Sequence, residues 1–167
     1  MNTFFVFAKD TTSVQLKNLW NTKYETKTLD IDSNEKSISF SFRYNAIDYV
    51  LTFDNDKKTE LIEACKLYLS EFENKTLKKD NKKNTQYLNI TSVIDWNVGK
   101  DKDGNCCSDV FIGYVFEGKN PYFIFSIAGG ENSLYSTDSS KIKELQRFAL
   151  YFTRTQVESL CKILEKI

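Results

Sequence analysis

The sequence predicts an α+β fold, mainly antiparallel sheet with two amphipathic helices, and three observations carry that prediction. Residues 37–53 alternate apolar and polar side chains with a period of two. Residues 59–72 switch to helical spacing. From Tyr87 the β signals resume and lead to a second helix at the C-terminal end.

Taken in order, residues 4–8 (Phe4, Phe5, Val6, Phe7, Ala8) predict a short strand bounded by Lys9 and Asp10. Val14, Leu16, Asn18 and Trp20 alternate with Gln15, Lys17 and Leu19, which predicts a second strand before a polar segment at 21–27. In residues 37–44 Ile38, Phe40, Phe42 and Tyr44 share one face, as in a half-buried antiparallel strand. Asn45-Ala46 supplies a tight turn into residues 47–53, where Ile47, Tyr49, Leu51 and Phe53 repeat the period. Asp54, Asp56 or Thr59 can cap the helix that follows, with Leu61, Ile62, Cys65, Leu69 and Phe72 on its apolar face.

Residues 73–86 hold five Lys and one aliphatic residue, Leu77, and predict a solvated connector. Leu88, Ile90, Val93, Ile94, Trp96 and Val98 mark the next strand, ending at a polar turn over 99–105, after which residues 106–109 begin the return. Residues 110–116 and 122–128 are apolar on both faces, as central covered strands are, and Gly129-Gly130 breaks the run. Phe148, Leu150 and Phe152 alternate as a strand, and Thr155-Gln156-Val157-Glu158 has capping-box spacing for a following helix. One helix over 140–167 is the competing reading, because Ile142, Leu145, Ala149, Phe152, Val157, Leu160, Cys161 and Leu164 also form a helical stripe.

The expected organisation is a β-rich half at 1–72 ending in a helix, the connector at 73–86, and a second β-rich half at 87–167, packed as one domain. A weak internal echo supports two related halves. Val50-Leu51-Thr52-Phe53 leads to Thr59 and Cys65-Lys66-Leu67, much as residues 148–152 lead to Thr155 and Cys161-Lys162-Ile163.

Lys plus Arg and Asp plus Glu each number 23, so the broad electrostatic footprint of a nucleic-acid or anionic-membrane protein is missing. No run approaches the ~18 apolar residues of a membrane span, and the N-terminal stretch lacks a basic region before its apolar core. Four Cys without framework-like spacing fit a reducing compartment, and a cytoplasmic location is expected.

The chain contains no His, which removes His-based acid–base catalysis, Ser-His-Asp and Cys-His nucleophiles, and His metal ligands. Asp95, Asp101, Asp103, Asp109 and Glu117 lie in the second half but read as solvated acids at turns and strand ends. Residues 101–105 share the start of a calcium loop, yet the twelfth position from Asp101 is Ile112, which offers no carboxylate. Cys106 and Cys107 are adjacent and would face opposite sides of a strand, so neither zinc nor any cofactor is expected. Gly129-Gly130-Glu131 lacks phosphate-loop spacing. No enzyme is expected.

Three aromatic and basic groupings remain as binding candidates: Trp20 with Lys17 and Lys23, Trp96 with Lys100 and Lys102, and Tyr151 with Arg147 and Arg154. Strand, strand, strand, strand, helix in each half resembles the tandem ββββα arrangement of Whirly-type and Pur-type single-strand nucleic-acid binders. That resemblance implies a single-stranded DNA or RNA partner; it covers element order alone, so no family residue is carried over. The leading expectation is a non-catalytic protein-interaction protein of the immunity, inhibitor or phage accessory type, with another protein as partner.

Overall fold

The computed structural model describes residues 10–17, 23–79, 85–137 and 140–167. Its strands are β1 (Asp10–Lys17), β2 (Tyr24–Ser33), β3 (Ser37–Tyr44) and β4 (Ile47–Asp54), then α1 (Lys58–Glu73). There follow β5 (Thr85–Val98), β6 (Asp101–Glu117), β7 (Asn120–Ile127), β8 (Gly130–Glu131), β9 (Glu144–Leu145), β10 (Phe148–Phe152) and α2 (Arg154–Lys166). Eight strands close into an antiparallel barrel in the order β1-β10-β7-β6-β5-β4-β3-β2, while β8 and β9 form a small separate ribbon.

Period-two patterning builds the wall. In β3 and β4 the register runs from Ser37↔Asp54 to Tyr44↔Ile47, which puts Ile38, Phe40, Phe42, Leu51 and Phe53 inside. The turn residues Asn45 and Ala46 both take positive φ, 50° and 63°, the geometry whose twist matches a two-residue hairpin. Aromatic rings fill the interior. Phe40 meets Phe53 and Phe125 edge to face at 5.5 and 5.7 Å, and Phe125 packs on Phe152 at 5.2 Å.

Both helices follow strands that end at the same end of the barrel, and they close it. On α1, Leu61, Ala64, Cys65 and Tyr68 are buried; on α2, Val157, Leu160, Cys161, Ile163 and Leu164. Tyr68 donates its hydroxyl to the Pro121 carbonyl at 3.1 Å, with its ring 5.4 Å from Phe123. The helices are tied to each other by Lys66–Glu165 at 2.6 Å and by the Lys58 ammonium on the Ile167 carbonyl at 2.7 Å.

Residues 148–152 are a strand, so the single-helix reading of 140–167 falls. The capping box lies two residues earlier than the sequence spacing suggested: Thr153 Oγ1 accepts from Gln156 N at 3.4 Å, and Gln156 Oε1 accepts from Thr153 N at 2.9 Å. Gln serves the box as well as Glu, and β10 runs directly into the helix. At the other helix, Asp54, Asp56 and Thr59 do not cap α1, whose N-cap Lys57 follows a single 3₁₀ turn over Asn55–Lys57.

Two strand boundaries also differ. Residues 99–105 are not all turn, because β6 begins at Asp101. The segment at 21–27 is strand from Tyr24 onward. Among the described residues β3 pairs with β2 from Asp30 to Ser33, and the polar first half of β2 displays no apolar alternation. The expected strand at 4–8 and part of the connector lie outside the described residues.

Candidate functional site

The barrel closes at a seam between β1 and β10. Among the described residues β1 and β10 are bridged at Gln15↔Tyr151 and Leu16↔Leu150, and β5 and β6 pair from Thr85↔Tyr114 to Val98↔Asp101. Next to Leu16, Lys17 and Tyr24 are paired across β1 and β2, and their side chains lie against the outer face of the neighbouring wall. Lys17 reaches Glu117 of β6 at 3.3 Å, and Tyr24 stacks on Tyr122 of β7 while meeting Tyr151 edge to face, both at 5.2 Å.

A cleft of about 610 Å³ opens beside this seam. Its walls include side chains from both faces of the sheet: Leu16, Phe42, Tyr49 and Phe148 point inward, while Lys17, Glu117, Ile124 and Tyr151 point outward. The cleft therefore passes around the start of β10. Phe42 and Tyr49 stack at 5.2 Å, and Phe148 packs against both, at 6.1 and 5.9 Å. Ile124 faces outward yet is only 3% exposed.

One lip of the cleft comes from the excursion between β7 and β10. Buried Asn132 holds it. Asn132 Oδ1 accepts from Asn105 N at 3.1 Å and Leu134 N at 3.0 Å, and Nδ2 donates to Asp103 O at 3.2 Å and Ile142 O at 2.8 Å. All four hydrogen-bonding positions of one amide are used, which brings Ile142, Glu144 and Leu145 to the cleft. Gly129, at φ +84°, lets the chain turn into this excursion where a Cβ would lie 2.2 Å from the Leu145 carbonyl oxygen.

The charged groups in the walls are not equivalent. Lys17 and Glu117 neutralise each other, and Glu144 accepts the Gln146 amide at 2.8 Å. Arg147 is exposed and makes no hydrogen bond or ion pair among the described residues. Burial raises the phenol pKa of Tyr49, with a smaller push from Tyr44, and that of Tyr151, with a smaller push from Glu117. Both are neutral hydrogen-bonding groups at physiological pH.

Of the residues singled out from sequence, Lys17, Arg147 and Tyr151 come together at this cleft. The others do not join them. Trp96 is buried in the barrel against Gly104, where a Cβ would lie 1.8 Å from the indole, so its ring presents no face to a base. Lys102 pairs with Asp95 at 2.5 Å, and Lys100 stands exposed in the turn after β5. Arg154 belongs to the helix end, paired with Glu73 at 3.2 Å and Glu158 at 2.9 Å and lying over Phe72. Lys23 is exposed just before β2, and Trp20 lies outside the described residues.

Phe42, Tyr49, Phe148 and Asn132 were not picked out from sequence. Phe42 and Tyr49 look like ordinary inward residues of an alternating hairpin, and Asn132 like a loop polar residue. A usable signal was the apolar outer face of β6 and β7, since Ile124, Val115 and Phe111 need cover that alternation alone does not supply.

At the end opposite the helices, Val98, Leu134, Tyr135 and Ile142 are 50%, 39%, 38% and 50% exposed. Among the described residues no group of three or more Cys, Asp or Glu side chains could hold a metal ion, and no helix is long and apolar enough to cross a membrane. No curated protein and no solved structure matches this chain. Kinship comes from one comparison, whose span takes in the whole barrel, the seam and both helices: the chain belongs to the family described as "Uncharacterised Treponema protein", whose model matches residues 2–166.

Proposed function

We propose that this chain is a non-catalytic protein-interaction protein that docks its partner on the end of the barrel opposite the helices. The observation that carries the reading is the gathering of exposed Val98, Leu134, Tyr135 and Ile142 at the end opposite the helices. Apolar side chains clustered on one surface, beside an aromatic cleft, are what an interface core requires. A closed barrel has few free strand edges, which favours side-chain docking over strand addition.

Two related ββββα halves and a cytoplasmic site belong to the same reading. Each half contributes four barrel strands and then a helix, and Cys65 and Cys161, equivalent in the sequence echo, lie close enough to influence each other. Four free thiols fit a reducing compartment.

The test is affinity capture from the source cell with wild type and a Tyr135→Glu/Ile142→Glu variant, followed by titration of the captured protein. A partner held by wild type and lost by the variant supports the reading; equal capture by both overturns it. The single-strand alternative draws on Lys17, Arg147 and Tyr151 meeting at one cleft. Salt-sensitive binding of a labelled oligonucleotide, lost in Arg147→Gln, would favour it instead.

A further inference from the structure

The seam cleft has the features of a small-ligand site, and that assignment goes beyond the partner reading. Its volume, about 610 Å³, lies within the about 300–1,000 Å³ typical of ligand pockets. Leu16, Phe42, Tyr49 and Phe148 give it an apolar body. The barrel interior proper is filled by Phe40, Phe53 and Phe125, so the seam and not the axis has room.

The wall charges decide the head group. Lys17 and Glu117 cancel at 3.3 Å, and the Glu144 carboxylate accepts from Gln146. Arg147 has no partner among the described residues and lines both this cleft and a smaller adjoining cavity of about 180 Å³, sharing Ile124 and Ser126 with each. A guanidinium beside an apolar slot suits a carboxylate, which it can grip with two parallel N–H donors. We propose that the cleft binds a monocarboxylate amphiphile, its chain along Phe42, Tyr49 and Phe148 and its carboxylate on Arg147.

The experiment is calorimetric titration of the full chain with dodecanoate, dodecanol and dodecyltrimethylammonium, each below its micelle concentration. It is repeated on Arg147→Gln and on Ala149→Trp, which fills the cleft; Ser126→Phe replaces the latter if it fails to fold. Dodecanoate should bind best to wild type and weaken about tenfold or more in Arg147→Gln, while dodecanol is unchanged. The cleft-filling variant should lose both. Tighter binding of the ammonium, or dodecanoate binding indifferent to Arg147→Gln, overturns the head-group assignment. Binding of none of the three overturns the ligand site. Neither result depends on Tyr135 or Ile142, so this proposal and the partner reading fail separately.

Discussion

Tyr24 of β2 stacks on Tyr122 of β7, with ring centroids 5.2 Å apart and planes 19° from parallel, although β1 and β10 stand between their strands in the barrel. The contact runs across the outer face of the wall, past Tyr151 of β10, which Tyr24 meets edge to face. Tyr24, Tyr122 and Tyr151 form one aromatic cluster outside the wall, beside the Lys17–Glu117 ion pair. Tyr24→Ala is expected to cost about 1–3 kcal/mol, from lost apolar burial and ring contacts. Hydrogen exchange checks it: amides of residues 24–28 should accelerate more than those of β6.

Gly104 sits where a methyl group would run into the Trp96 indole at 1.8 Å. Gly104→Ala should destabilise by about 1–3 kcal/mol or more through overpacking. In a Trp20→Phe background, denaturant unfolding and a red shift of the remaining tryptophan emission would show the displaced ring.

Asn132→Ala removes an amide that serves two backbone donors and two carbonyls. Leaving buried partners unpaired should cost about 1–3 kcal/mol for each group that water cannot reach. The lip carrying Ile142 and Leu145 should loosen, seen as faster proteolysis between residues 132 and 147 with the barrel core still protected.

Thr153→Ala deletes one arm of the α2 capping box and should lower stability by about 1 kcal/mol, whereas Thr155→Ala, outside the box, should have a much smaller effect. Thermal unfolding of the two variants side by side distinguishes the observed cap from the one that sequence spacing favoured.

Burial, with smaller contributions from Cys107 and Asp95, pushes the Cys106 thiol up to about 11. Burial first of all also raises Cys65, Cys161, Tyr24, Tyr68 and Tyr87. The unfolded chain releases these protons at lower pH than the folded one. Stability should be full below pH 9 and fall as pH rises through about 11. At pH 8 a thiol reagent should label exposed Cys107 in the native protein and reach all four cysteines only after unfolding.

Legibility followed burial. β3, β4 and α1 were readable because each sets an apolar face against the core, so the period of Ile38, Phe40 and Phe42 or of Leu61 and Cys65 survives in the sequence. β2 was not, since, among the described residues, 24–29 have no partner on the β3 side, and they include Thr26, Lys27 and Thr28. The closure of the sheet was invisible for another reason: pairing of residue 15 with 151 leaves no local periodicity. At the site, Lys17, Arg147 and Tyr151 were found by type, aromatic beside basic. Trp96 was selected by the same rule and belongs to the core, because residue type does not say which face of a strand a side chain takes.

The seam also orders events in time. β1 pairs with β10, the last barrel strand in chain order, so the ring cannot close until residues 148–152 have left the ribosome. Until then β1 and β7 are bare edges, each able to recruit another nascent chain. Closing so long a loop should make the barrel slow to form, as high contact order does elsewhere. Cells that make this protein quickly would then need holding chaperones for as long as it is an open sheet.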